Sequence, residues 1–250
     1  MDYEKCPYMS KLKRLDKVPD LQPKTAADRG TQLHQECEDY VRGKAPITHG
    51  LRHFVDDLSA LGRHFSDGRV ICEEEWAFCR DWAVTDWKSG WLRLKADAVC
   101  FLDPTHAAVV DYKSGKRFGN EVKHAEQLQL YAVCSLLRYP AVEQVTTELW
   151  YLDQNELASF VMTRKQMPKY LKLFDRRGRE MTEDTVFKPN PNIFSCKYCP
   201  YGPDRQGDCQ YGVSQDAAKS KPVFQTITAP KSMKKTRFDT MLAAEAKKFK

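Results

Sequence analysis

The sequence has no apolar run close to the ~20 residues that a helix needs to cross a bilayer. Its opening residues, MDYEKCPYMSKLKRL, lack the apolar core of a secretory signal peptide. Internal repeats and low-complexity tracts are absent as well. Hydrophobic residues make up 42% of the 250 and charged residues 30%, a balance that favours a folded chain over a disordered one. We expect a cytoplasmic protein of one or two domains with no membrane association.

An excess of charge of one sign is absent from most of the chain. The formal net charge is +6. Residues 213–250 contain nine Lys or Arg and three Asp or Glu, which already gives +6, so the other 212 residues are neutral, with 31 charges of each sign. A neutral body can hold nucleic acid only through local basic patches. We predict a folded unit over residues 1–212 and a basic arm over residues 213–250.

The arm carries apolar residues at roughly helical spacing among its lysines, namely Phe238, Met241, Leu242 and Phe249. One interpretation is an amphipathic basic helix that docks a protein partner or follows a DNA backbone. The alternative is a helix that packs against the folded unit.

Apolar periodicity predicts a layered α/β fold. Helical spacing covers four segments: about Ala26–Val41, Leu51–Phe65, Val122–Arg138 and Arg164–Arg179. Strand patterns cover five: Val70–Cys79, Trp91–Leu102, Ala107–Lys113, Gln144–Leu152 and Leu157–Met162. The predicted order is therefore helix, three strands, helix, strand.

The hairpin formed by LKADAVC (94–100) and AAVVDYK (107–113) holds the candidate chemistry. Because strand side chains alternate, Asp111 and Lys113 point to the same face. Two charged groups at the end of an apolar strand are costly unless they meet a partner, a metal or solvent. If Asp97 faces the same way, its carboxylate joins them, and paired carboxylates suit Mg²⁺. The alternative is a solvated ion pair at the strand end.

This hypothesis fixes the register of the hairpin. Directly opposed residues of an antiparallel pair point to the same face. The numbers of paired residues must therefore sum to an even value, as they do with Asp97 opposite Asp111.

Asp97, followed by Asp111-Tyr112-Lys113 after an apolar strand, resembles the PD-(D/E)XK nuclease superfamily. Ala96 stands where the name of the superfamily has proline. The resemblance implies a restriction-endonuclease-like core, comprising a helix, a three-stranded antiparallel meander, a helix and a strand, with an added helical part and a C-terminal Cys-rich loop.

Two further motifs resemble the RecB-type exonuclease branch, which includes CRISPR-associated RecB-like and phage iron–sulfur exonucleases. The segment from Gly30 to His34 is similar to its glycine-to-histidine motif, whose histidine lies at the metal site. Gln127 and Tyr131 match its Gln-x-x-x-Tyr motif on the helix after the hairpin. These two share a helix face, and the resemblance implies that they hydrogen-bond the catalytic lysine or a DNA phosphate. The alternative is that Tyr131 is a core residue and His34 a structural one.

The resemblance implies a Mg²⁺- or Mn²⁺-dependent exonuclease that processes DNA ends or single strands in recombination, repair or phage replication. His34, Asp97 and Asp111 would hold the metal, while Lys113 would assist the attack of water. An endonuclease of the same fold, or a module that binds DNA or a partner without cutting, are the alternatives.

Cysteine spacing predicts a second metal centre. Cys196 and Cys199 form a C-x-x-C pair, which suggests zinc or redox chemistry, and Cys209 follows after a turn-rich stretch. Cys6 resembles the early cysteine of the iron–sulfur RecB-type nucleases, which implies a [4Fe–4S] cluster held by all four. Four thiolates also suit zinc, and unligated thiols are the third alternative. The remaining cysteines fall in helix or strand patterns and are predicted to be core: Cys37, Cys72, Cys79, Cys100 and Cys134.

Overall fold

The computed structural model describes residues 2–23 and 25–215, so the predicted arm beyond residue 215 lies outside the described residues. The helices are α1 (Asp2–Lys5), α2 (Pro7–Arg14), α3 (Thr25–Val41), α4 (Val55–Ser66), α5 (Glu121–Arg138), α6 (Met167–Glu183) and α7 (Ile193–Lys197), with 3-10 helices at His49–Phe54 and Pro203–Arg205. The strands are β1 (Val70–Phe78), β2 (Val84–Thr85), β3 (Leu92–Asp103), β4 (His106–Lys113), β5 (Gln144–Tyr151) and β6 (Glu156–Thr163).

The six strands form one sheet in the order β2-β1-β3-β4-β5-β6. β1, β3 and β4 form an antiparallel meander. β5 pairs with β4 in parallel, with α5 as the crossover between them, and β6 returns antiparallel along β5. The predicted α/β core of helix, three-stranded meander, helix and strand is therefore confirmed.

Helices cover both faces of the sheet and bury an apolar core on each side. The face under α3 and α4 packs Leu33, Cys37 and Leu58 against Cys100, Val110 and Trp150. The face under α5 and α6 packs Ala132, Leu136 and Phe174 against Trp76, Val99 and Val109. Successive side chains of a strand point to opposite sides of the sheet. Alternate apolar residues of each strand therefore belong to the two different cores.

The alternation reverses at one place in the meander. In β1, Cys72 packs under α3 whereas Trp76 packs under α5, although both positions are even-numbered. In β3, Ala98 and Ala96 divide in the same way. The reversal falls between these pairs, at Glu73 and Asp97, and Glu73 has a left-handed φ of 58°. In both strands, the even-numbered side chains therefore point to one face of the sheet before this position and to the other face after it.

Local differences from the predicted elements have physical reasons. The segment predicted as one helix over Leu51–Phe65 begins as the 3-10 helix and becomes regular only at Val55. The helix predicted at Arg164–Arg179 begins later and extends to Glu183, with Pro168 in its first turn, where proline is tolerated. Cys79 lies just after β1 and is half-buried, so its prediction as a core residue was wrong. Within the described part of the chain, no helix is long and apolar enough to cross a membrane.

Candidate functional site

The β3–β4 hairpin brings the two predicted acidic residues together. Its pairs, such as Ala98 with Val110 and Val99 with Val109, sum to 208, which is the even value that the sequence requires. The pairing ends at the first of these pairs, one step short of Asp97 and Asp111, which a continuation of the same register would place opposite each other. Both carboxylates are buried, at 7% and 4% exposure, so they are too enclosed to be an ordinary solvated pair.

Helix α5 holds the carboxylate of Asp111 in place. Gln127 Nε2 donates to Asp111 Oδ1 at 2.8 Å, and the Tyr131 hydroxyl lies 2.9 Å from the same oxygen. The spacing of four residues puts both side chains on the helix face that covers the sheet. The Tyr131 hydroxyl also lies 2.8 Å from the carbonyl oxygen of Lys95, which fixes it between β3 and β4.

The other carboxylate oxygen of Asp111 faces Lys113. Lys113 Nζ forms an ion pair with Asp111 Oδ2, which is buried and accepts no hydrogen bond of regular geometry. Burial raises the pKa of Asp111; the ammonium of Lys113 opposes this shift, and the charge of Asp97 reinforces it. A buried carboxylate in this condition is stabilised by further positive charge.

Asp97 links β4 to helix α3. Its Oδ2 accepts a hydrogen bond from the backbone N–H of Tyr112 at 2.7 Å, and its Oδ1 lies 3.2 Å from Nδ1 of His34. Burial lowers the pKa of His34, but its hydrogen bond to Asp97 and the charge of that carboxylate outweigh burial, so the net shift is upward. The Tyr112 ring meets the His34 ring edge-on, with centroids 5.8 Å apart, and helps to orient it.

A third acidic residue reaches the same place. Ligand atoms of His34, Glu73 and Asp97 all lie within 4.8 Å of one another, and Asp111 lies outside this compact group. Glu73 is also ion-paired with Lys95. The sequence offers three consecutive glutamates at 73–75, so the pattern alone could not tell which one points inward.

The structure therefore gathers the six predicted catalytic residues around one hairpin in two groups of contacts: His34 with Asp97, and Asp111 with Lys113, Gln127 and Tyr131. Their catalytic roles stay predictions, and of the three glutamates at 73–75, among which the sequence could not choose, the structure brings Glu73 to the group of His34 and Asp97. The predicted metal ligands divide into two parts, because His34 and Asp97 belong to the compact group whereas Asp111 is held by α5 beside Lys113.

Four cysteines from both ends of the folded unit line a cavity apart from the β3–β4 hairpin. Cys6 precedes α2, Cys196 lies on α7 rather than in a loop, and Cys199 and Cys209 follow in turns. They border one cavity of about 370 Å³. Burial raises the pKa of Cys199, and the thiols of Cys209, Cys196 and Cys6 raise it further. All nine cysteines are free thiols.

The backbone around this cavity is closely packed. A Cβ added at Gly202 would lie 2.5 Å from the carbonyl oxygen of Cys196, so only glycine allows this approach. The backbone N–H of Asn190 donates to Cys6 Sγ at 3.4 Å. No three of the four thiol sulfurs lie within 4.8 Å of one another in the part of the chain that the structure describes.

Comparisons with known proteins point to one family. A sequence profile of the PD-(D/E)XK nuclease superfamily matches residues 80–203. No curated protein sequence matches the chain. Solved structures similar to it include SSO0001 (TM-score 0.43, 16% identity, covering 78% of this chain and 77% of that one). A protein from Eubacterium rectale, provisionally named an exonuclease, gives a TM-score of 0.43 at 9% identity, covering 95% and 86%. At these TM-scores, neither similarity supports an inference about this chain.

Proposed function

The chain belongs to the PD-(D/E)XK nuclease superfamily, and on that premise we propose that it is a divalent-metal-dependent deoxyribonuclease acting at DNA ends. The observation that carries the proposal is the buried convergence of Asp97, Asp111 and Lys113 on one hairpin. A surface ion pair would not bury two carboxylates on neighbouring strands without compensation.

The donor set fits a divalent cation. Asp111 Oδ2 is a buried oxygen paired with the ammonium of Lys113, the charge of Asp97 acts on the same carboxyl group, and His34 adds a ring nitrogen. We assign His34, Asp97 and Asp111 as the residues that would hold Mg²⁺ or Mn²⁺. Such an ion polarises the phosphate and acidifies bound water when present.

The remaining residues act on the reacting groups and on the carboxylate. Lys113 is positioned to orient the attacking water and to stabilise negative charge that develops on the phosphate oxygens. Water forms the new P–O bond, and the bond from phosphorus to the leaving sugar oxygen breaks. Gln127 and Tyr131 fix the rotamer of Asp111 through its Oδ1, so that Oδ2 is held beside Lys113.

The order of the Gly30-to-His34 and Gln127-to-Tyr131 motifs supports an exonuclease of the RecB type, with roles in recombination, repair or phage replication. An endonuclease has the same hairpin and is the second candidate. A module that binds DNA without cutting is disfavoured, because Asp97, Asp111 and Lys113 are all intact.

Cleavage of linear and circular DNA, single- and double-stranded, tests this proposal. We expect EDTA-sensitive degradation of linear substrates only, and loss of activity in Lys113→Ala with retained DNA binding. Lys172→Ala, an exposed lysine on α6, is the matched control. Cleavage of circles would support the endonuclease. Wild-type activity of Lys113→Ala would place the site elsewhere.

We propose that Cys6, Cys196, Cys199 and Cys209 bind a [4Fe–4S] cluster. A tetrahedral zinc site with 2.3 Å bonds needs sulfurs about 3.8 Å apart, whereas no three described thiols come within 4.8 Å of one another. The cavity of about 370 Å³ also exceeds what one ion fills. The size of the cavity favours a larger group over a single ion.

The composition of the purified protein tests the cluster. Anaerobically prepared protein should be brown and contain iron and acid-labile sulfide, and Cys199→Ser should lose both. Cys79→Ser, a half-buried thiol outside the cavity, should keep both. One equivalent of zinc in colourless protein would replace the cluster by a zinc site.

A further inference from the structure

Glu73 has an unusual backbone for a residue in the middle of a strand. Its φ of 58° is left-handed, a conformation that side chains with a Cβ disfavour. The pairs on both sides of it, such as Cys72 with Ala98 and Glu74 with Ala96, sum to 170, so no residue has been inserted. Glu73 therefore lies opposite Asp97, and its conformation is a local departure within an intact register.

The left-handed turn coincides with the place where β1 and β3 change faces. There, the carboxylate of Glu73 comes within 4.8 Å of ligand atoms of both His34 and Asp97. Its side chain is only 19% exposed, whereas the side chain of Lys95, whose ammonium faces it, is 47% exposed. An exposed lysine chain can move into solvent when another cation takes over the charge of the carboxylate.

Backbone strain of this kind persists only where the surroundings over-determine it, and it concentrates at functional sites. Surface solvation does not require it, because a glutamate with ordinary strand geometry, such as the exposed Glu75, reaches water without it. Asp111 Oδ2, buried on β4 beside Lys113 with no hydrogen bond of regular geometry to the described residues, adds to the negative charge that a cation here would offset. The strained conformation brings the carboxylate of Glu73 close to His34 and Asp97.

We propose that Glu73 is a direct ligand of the divalent cation, together with His34 and Asp97. This inference rests on the proposed nuclease function and adds a protein ligand to it. A mixed set of imidazole and carboxylates suits Mn²⁺ better than Mg²⁺, which prefers oxygen alone. Mn²⁺ is therefore the expected ion and the appropriate probe.

Titration with Mn²⁺ followed by electron paramagnetic resonance tests the ligand without any nuclease assay. Glu73→Gln should weaken Mn²⁺ affinity by at least about tenfold, the loss that follows even when a group that only orients a metal ligand is removed. Glu75→Gln, two residues along the same strand, should bind like the wild type. Unchanged affinity in Glu73→Gln would overturn the proposal.

A glycine variant separates ligation from structure. Glu73→Gly removes the left-handed strain, since glycine adopts this φ readily. It should raise the melting temperature of the metal-free protein while weakening Mn²⁺ binding. If Glu73 served only to pair with Lys95, the variant would lose stability and keep its Mn²⁺ affinity. Glu73-dependent Mn²⁺ binding in a protein that cuts no DNA would retain this inference and reject the nuclease.

The loop between β4 and α5 carries a second, independent feature. Phe118 lies five positions after Lys113 and is 88% exposed, and Val122, in the first turn of α5, is also exposed. The loop is nevertheless anchored: the Arg117 N–H donates to Gln154 Oε1 at 2.9 Å, and Asn120 Nδ2 donates to the Lys116 carbonyl oxygen at 3.1 Å. A fixed loop thus presents an aromatic ring to solvent.

The charges around Phe118 indicate what covers it. Lys116 and Arg117 precede it and Lys123 follows, against a single acidic residue, Glu121, in the same stretch. Of the described residues, none forms an ion pair with Lys116 or Lys123. An exposed aromatic ring among basic side chains is the combination that holds single-stranded nucleic acid, by stacking on a base and pairing with its phosphates.

We also propose that Phe118 stacks on a base of single-stranded DNA as the strand enters the site. This makes a single strand or a frayed end the substrate of the proposed nuclease. Affinity for a single-stranded oligonucleotide, measured by fluorescence anisotropy in EDTA, should fall by roughly fivefold or more in Phe118→Ala, the lower end of base stacking. Phe118→Trp should restore it.

The control is Phe194→Ala, which removes a ring of similar exposure, 84%, on α7. It should bind the oligonucleotide like the wild type. Equal affinities of Phe118→Ala and the wild type would overturn the stacking role. Because EDTA stops cleavage, this outcome is independent of whether the protein is a nuclease.

Discussion

Asp111 has opposite effects on the stability of the fold, which its charge lowers, and on the proposed cleavage, which requires that charge. Its pKa is raised, chiefly by burial, so the ionised form is unfavourable in the folded protein. At neutral pH this charge therefore destabilises the fold. We expect Asp111→Asn to raise the melting temperature of the metal-free protein and to abolish cleavage. Thermal denaturation in EDTA, beside a nuclease assay of the same preparations, measures both effects.

The same shift gives this difference a pH dependence. A carboxyl group whose folded pKa lies above its unfolded value of 3.8 destabilises the fold where it is ionised, and the penalty is gone once both states are protonated. The stability advantage of Asp111→Asn should therefore shrink as the pH falls from 7 towards 4. An advantage that stays constant across this range would mean that shape rather than charge decides the effect.

At the scale of elements, α5 acts as the support of the catalytic hairpin. Tyr131→Phe removes one hydroxyl that lies between Asp111 and the Lys95 carbonyl. We expect a rate loss of roughly 10- to 100-fold, the usual effect of removing a group that orients a ligand, and a stability loss of about 1 kcal/mol. Steady-state kinetics and urea unfolding measure the two. Tyr170→Phe on α6 is the control, and equal rates in both variants would remove α5 from the mechanism.

Elements with long apolar patterns could be predicted from sequence, and short ones could not. α3, α5 and the five longer strands follow from periodicity because each buries an apolar face. α1 and α2 bury no residue completely and depend on tertiary contacts, such as the Tyr3 hydroxyl donating to Asp184. The inward turn of Glu73 was also beyond prediction, since a left-handed residue in a strand leaves no pattern in the sequence.

At the scale of the whole molecule, contacts between distant segments tie the N-terminal residues to the cysteine-rich end of the fold. Asn190 Nδ2 donates to the Lys5 carbonyl oxygen, and the Tyr201 hydroxyl donates to the carbonyl oxygen of Val18. A cluster bound by Cys6 and Cys196 would reinforce this closure, because a metal site that joins distant segments couples binding to folding.

Loss of the cluster should therefore unfold the N-terminal and C-terminal segments of the folded unit before the sheet unfolds. In Cys196→Ser we expect limited proteolysis to cut first within residues 2–22 or 186–212, while β1 to β6 stay protected. Mass spectrometry of the early fragments locates the cuts, and Cys134→Ser, a buried thiol of the sheet core, is the contrasting variant. First cuts inside the sheet of Cys196→Ser would show that the cysteines do not close the ends.

The distribution of charge over the whole chain leads to the last prediction. Residues 213–250 contain nine Lys or Arg and three Asp or Glu, so their deletion removes the entire net charge of +6. Binding of DNA by basic residues releases counterions, and its salt dependence scales with the number of phosphates neutralised.

We expect the deletion variant to bind DNA more weakly and with a flatter dependence on salt. Cleavage at saturating DNA should be retained, because the hairpin and its supports lie within residues 30–131. Affinity measured from 50 to 200 mM salt, the range over which phosphate contacts change binding most visibly, decides the matter. Identical slopes with and without the arm would exclude its contact with the DNA backbone.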